Sequence, residues 1–172
     1  MAKVILNIMD PNKYFDGIVK ILKKNPSQKN VIYVTTNKPY ATIVNSLKSK
    51  SIKTENILFI DCISKQIKQD TSKEADNCIY IGSPQNLTAI SIAVNESIKS
   101  MKGKKMLLLD SLSILLIYND ANTIGKFSNF LLNKMRAADV DTVVLALESD
   151  ANKDIIKQIE SFVDEVQKKK GK

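Results

Sequence analysis

The stretch LLLDSLSILL, residues 107–116, decides how the rest of the chain is read. Four apolar positions, Met106 to Leu109, run into Asp110, and Ser111 and Ser113 follow closely. An unbroken apolar run of this length fits a strand buried on both faces, as in a parallel sheet. A carboxylate where such a strand ends is well placed to hold a magnesium ion against a phosphate. The question is whether the chain carries the other parts that such chemistry needs.

Working outward, the same pattern repeats. Apolar runs at 3–9, 31–36, 56–61, 78–82, 104–110 and 141–148 read as strands. Between them, 11–24, 39–50, 84–101, 121–138 and 152–167 read as helices, and 63–70 as a weaker helical or loop segment. Strands alternating with helices give an α/β three-layer sandwich with a mostly parallel sheet. Asp10-Pro11, Lys38-Pro39 and Ser83-Pro84 each put proline where the first helical residue is expected, with Asp10 and Ser83 as N-caps. Residues 1–167 read as one domain, and the lysine-rich end, 168–172, as a flexible basic tail.

Composition removes several classes of function. There is no histidine, and Cys62 and Cys78 stand sixteen positions apart, so the usual zinc sites and histidine-based triads are excluded. No apolar stretch is long enough to span a membrane, and the N-terminus reads as a first strand, so a cytoplasmic protein with no membrane partner is expected. Half of the formal charge of +8 comes from Lys168, Lys169, Lys170 and Lys172. With one arginine, Arg136, and 6% aromatics, base reading and base stacking are poorly served. Any nucleic-acid binding is expected to be weak.

Ligands of open α/β sheets bind beyond the carboxyl ends of the strands. That edge carries Asp110, Ser111, Ser113, Thr36 and Asn37, the candidate ligand-binding rim. The segment from Asn86 to Glu148, with DSLS at 110–113, resembles the second half of KaiC/RecA-superfamily domains, in particular archaeal KaiC-like proteins. VIYVTTNKP, residues 31–39, is similar to that family's second strand and following proline. The resemblance implies a RecA/KaiC-like P-loop NTPase fold, with Asp110 in the place of the magnesium-binding acid.

Two parts of that machinery do not match. The phosphate loop needs G-x-x-x-x-G-K-[ST]. Gly103-Lys104 has Ile98 and Lys105 at the flanking positions, and Gly125-Lys126 has Asp120 and Phe127. The loop after the first strand is MDPNKYFDG, where Asp10 brings negative charge and Pro11 removes a donor. The acidic pair that the resemblance implies before the proline is replaced by Asn37 and Lys38.

Hydrolysis, ATP and magnesium are therefore not expected, and no catalytic or metal residue is assigned, Asp110 being the sole candidate for a metal. Its expected role is to cap a turn into 112–118 by accepting the amides of Leu112 and Ser113. The reading is a degenerate domain acting in regulation or assembly, with a protein partner or a second copy. The alternatives are an atypical nucleotide binder using the strand-end rim, and a nucleic-acid accessory protein.

Overall fold

The computed structural model describes residues 1–25, 29–71 and 75–168. Its seven strands are β1 (Val4–Met9), β2 (Asn30–Thr35), β3 (Ile57–Asp61), β4 (Cys78–Tyr80), β5 (Lys105–Asp110), β6 (Asp141–Leu147) and β7 (Glu165–Lys168). They form one sheet in the order β4-β3-β2-β5-β6-β1-β7, and every pairing is parallel. The helices are α1 (Tyr14–Lys23), α2 (Tyr40–Ser49), α3 (Leu87–Ser100), α4 (Leu112–Tyr118), α5 (Ala121–Ala137) and α6 (Asp154–Glu160).

Alternation along each strand divides the core into two layers. Leu107 and Leu109 of β5, with Ile32, Val34, Leu6 and Ile8, face α3 to α6. Met106 and Leu108, with Val31, Tyr33 and Phe59, face α1 and α2. Both faces of the central strands are thus covered, which explains why their sequences are continuously apolar. Each fully buried leucine or isoleucine contributes roughly 1.5–3 kcal/mol by leaving water.

The six expected strands and the three-layer architecture are present; several local expectations are corrected. The segment expected as one helix over 152–167 ends as α6 at Glu160, and the chain then enters β7 beside β1. Lys168, expected to begin the tail, is the last residue of β7 and is in register with Ile8; residues 169–172 lie outside the described residues. Residues 112–118, into which a turn is expected to lead, form the helix α4.

Of the three expected proline starts, the one at Asp10-Pro11 is present, with Asp10 as N-cap, and the other two differ. Asp10 and Pro11 open a 3₁₀ turn over Pro11–Lys13 before α1, and Pro39 is itself the N-cap of α2. Ser83 precedes a turn that contains Pro84, and α3 is capped by Asn86, whose side chain accepts the Ala89 N–H. Cys62 is buried, Cys78 is half-buried, and neither forms a disulfide.

Candidate functional site

The strand order brings the ends of β2, β5, β6 and β1 together on one edge of the sheet. A cavity of about 410 Å³ opens there, on the side of α1 and α2. Its polar lining includes Asn12, Tyr14, Asn37, Lys38, Asp110 and Ser111.

Asp110 is the last residue of β5, in register with Thr35 of β2, and is only 4% exposed. The Tyr14 hydroxyl, at the start of α1, donates to its Oδ1 at 2.5 Å. The Tyr33 hydroxyl, inside β2, donates to its Oδ2 at 2.8 Å. Both carboxylate oxygens are therefore engaged by phenols. The expected donors, the amides of Leu112 and Ser113, are not the ones used. The helix that follows is capped instead by Ser111, whose Oγ accepts the Ile114 N–H at 3.2 Å.

Burial raises the Asp110 carboxyl above its ordinary range, while the two phenols and the charge of Lys38 act in the opposite direction. The phenols are held well above their usual range, first by burial and then by the Asp110 charge. The tyrosines thus stay protonated and serve as donors.

Two of the five rim residues join elements of the fold to one another. Thr36 receives the Ser111 N–H at 3.0 Å and donates its hydroxyl to the Asp110 carbonyl at 3.0 Å, so it ties the end of β2 to the end of β5. Ser113 accepts the Leu147 N–H at 2.8 Å and so joins α4 to β6. Neither lines the cavity. Asp110, Ser111 and Asn37 do line it, and Asn37 is exposed.

Sequence reasoning missed Tyr14, Tyr33 and Lys38. A tyrosine inside the otherwise aliphatic run VIYVT was a usable signal, because a buried phenol needs a partner.

The turn at the head of α1 has already used amides that would face an anion. The Asn12 N–H goes to Asp10 Oδ1 at 2.9 Å, and the Lys13 N–H to the Asp10 carbonyl at 3.0 Å. Among the described residues Asp110 is the one carboxylate lining the cavity, and no group of three or more potential ligands could hold a metal. A second strand-end acid, Asp61, is fully buried and wholly internal in its bonding. Its Oδ1 accepts the Ile63 and Ser64 amides at 2.8 and 2.9 Å, and its Oδ2 accepts the Tyr40 amide at 2.8 Å and the Ser64 hydroxyl at 2.5 Å. It thereby caps α2, which has no capping side chain of its own.

The pattern of the family of unknown function DUF7504 matches residues 18–167. The chain belongs to that family. No curated protein matches it. Among solved structures it is similar to the KaiC-like protein PH0186 of the hyperthermophilic archaeon Pyrococcus horikoshii OT3, at 13% identity and a TM-score of 0.66, over 96% of this chain and 69% of that one. It is also similar to the uncharacterized Pyrococcus horikoshii protein PH0321, solved in complex with an unknown peptide. There the identity is 13% and the TM-score 0.74, over 99% of this chain and 78% of that one. These likenesses establish the KaiC/RecA-like fold of this DUF7504 member. Among its described residues no helix is long and apolar enough to cross a membrane.

Proposed function

We propose that this chain is a RecA/KaiC-like domain that does not hydrolyse ATP and that works through contacts with other proteins, as a regulatory or assembly module. The observation that carries the first half is the state of Asp110. A magnesium-binding carboxylate must present at least one oxygen to the ion. Here each oxygen already accepts a phenol, which leaves it one further lone pair, and the carboxylate is almost fully buried, so little of it is presented to an ion. The internal bonding of the turn after β1 points the same way, since a phosphate cradle needs unpaired amides. The second half draws support from PH0321, a protein of the same fold that was solved with a peptide bound.

One observation favours a second reading. The 410 Å³ cavity, with Lys38, Asn37 and Asn12 in its lining, is large enough for a small anionic molecule that uses neither magnesium nor a phosphate loop.

Thermal unfolding tests the main reading. A ligand present at a hundred times its Kd stabilises the folded state by about 2.7 kcal/mol. Magnesium, with or without ATP, is expected to leave the unfolding temperature unchanged. A shift that needs magnesium and disappears in Asp110→Asn would overturn the proposal. A shift with ATP alone that survives in Asp110→Asn would select the second reading.

A further inference from the structure

On the face of the sheet opposite the Asp110 cavity, α3 and α5 border a groove of about 530 Å³. Two large apolar side chains project into it, Ile92 of α3 and Phe130 of α5, each 56% exposed. Leu87 and Phe127 continue the apolar surface beneath them. Single exposed apolar residues are ordinary, but two facing each other across one groove form a patch. Lys126, Phe130 and Lys134 follow one another at intervals of four on α5, so they share one stripe of that helix. The Lys134 Nζ lies 5.3 Å from the centre of the Phe130 ring.

The charge around this patch has one sign. Among the described residues the charged ones lining the groove are Lys126 and Lys134, and α5 contains no acid in its seventeen residues. Its remaining cation, Arg136, is held by the Phe162 carbonyl and Asp164. The helix dipole accounts for a cation in the last turn, not for Lys126 near the beginning. Lys126 does feel Asp120, but that carboxylate is the N-cap and is occupied by the Thr123 amide at 2.7 Å. Glu96 is on α3 but does not line the groove.

We infer that the α3/α5 groove docks an acidic, amphipathic helical segment of a partner protein, whose apolar side chains pack on Ile92 and Phe130 and whose carboxylates meet Lys126 and Lys134. The inference names the partner class for the interaction reading above and rests on that reading. Helix-in-groove recognition needs apolar anchors spaced along one face, with specificity set by rim charge. A buried aromatic at the centre is where most of the binding energy is expected.

The test uses the full chain and two synthetic peptides, measured by fluorescence anisotropy. One is an amphipathic helix of about four turns, ~14 residues, with leucine and phenylalanine at i, i+3, i+4 and i+7 and glutamates elsewhere. The other has lysine at every glutamate position. The acidic peptide is expected to bind, with affinity falling as salt rises, and the basic one is not. Phe130→Ser and Ile92→Ser are each expected to weaken binding about tenfold or more. Lys126→Glu with Lys134→Glu is expected to invert the preference between peptides. These positions are exposed, so the variants are expected to fold, and circular dichroism checks this.

Equal binding of both peptides, or binding untouched by Phe130→Ser, overturns the inference. So does a dimer in light scattering that Phe130→Ser dissociates, since a second copy would then cover the groove. Displacement of the acidic peptide from Lys126 and Lys134 by a duplex oligonucleotide likewise overturns it. The Asp110 measurements are independent: ATP turnover would sink the no-hydrolysis half of the earlier reading and leave its interaction half, with a positive peptide result, standing. No peptide binding together with no ATP turnover would sink the groove alone.

Discussion

Asp61→Ala is expected to lose about 3–5 kcal/mol, the largest effect of any single substitution considered. Four donors converge on that carboxylate: the amides of Tyr40, Ile63 and Ser64 and the Ser64 hydroxyl. Removing it leaves buried N–H groups without an acceptor and takes the cap from α2. A falling unfolding temperature, on the order of 10 °C or more, is the readout. Asp61→Asn is expected to be poorly tolerated as well. Three of the four donors are backbone amides, which cannot turn round, so an introduced NH₂ meets N–H groups rather than acceptors. A near-wild-type Asp61→Asn protein would show that these bonds contribute little.

Asp110→Ala is expected to lose about 2–4 kcal/mol, because it strands the Tyr33 hydroxyl in the core and frees that of Tyr14. Here Asn is expected to behave differently from Asn at position 61. A tyrosine hydroxyl is both donor and acceptor and can rotate, so one phenol can receive the new NH₂. Asp110→Asn should therefore lose roughly 1 kcal/mol or less, and removing the penalty of a buried charge offsets part of that.

The pH dependence follows from the raised carboxyl of Asp110. A folded-state value above the unfolded one means that the folded protein holds this proton more tightly. The contribution of Asp110 to stability is then fully present below the ordinary carboxylate range and is lost as pH rises through the folded value. Tyr33→Phe removes a bond to the ionised form, so it should push the carboxyl higher and widen that window toward neutral pH. Melting curves of Asp110→Asn against wild type across the acidic range isolate this contribution. A difference that grows in the opposite direction would mean the carboxyl is depressed, as a metal ligand's would be.

The sheet was legible in the sequence because its central strands are buried on both faces, and burial leaves unbroken runs such as MLLL and VIYV. β7 was not, because EVQK at the sheet edge has one apolar residue and is mostly exposed. Its apolar neighbours Phe162 and Val163 extend the spacing of α6 and made the segment look like a longer helix. α4 is seven residues long, too short for helical periodicity to stand out from the apolar strand before it.

The position of Asp110 at a strand end could be read, but its partners could not. Tyr33 is 77 positions away in sequence and Tyr14 is 96, and only the strand order brings them to one carboxylate. Thr36 and Ser113 illustrate the converse: polar residues at a strand end resemble a binding rim until their bonds are seen to join backbones.

The most direct measurement is phosphate release by the purified protein given ATP and magnesium, with Asp110→Asn as the control. On the proposed reading, an acid buried with each oxygen hydrogen-bonded to a phenol, Tyr14 or Tyr33, does not take up magnesium, so release is expected at background and equal in the two proteins. Magnesium-dependent turnover in the wild type that Asp110→Asn abolishes would contradict the proposal and make Asp110 a working ligand.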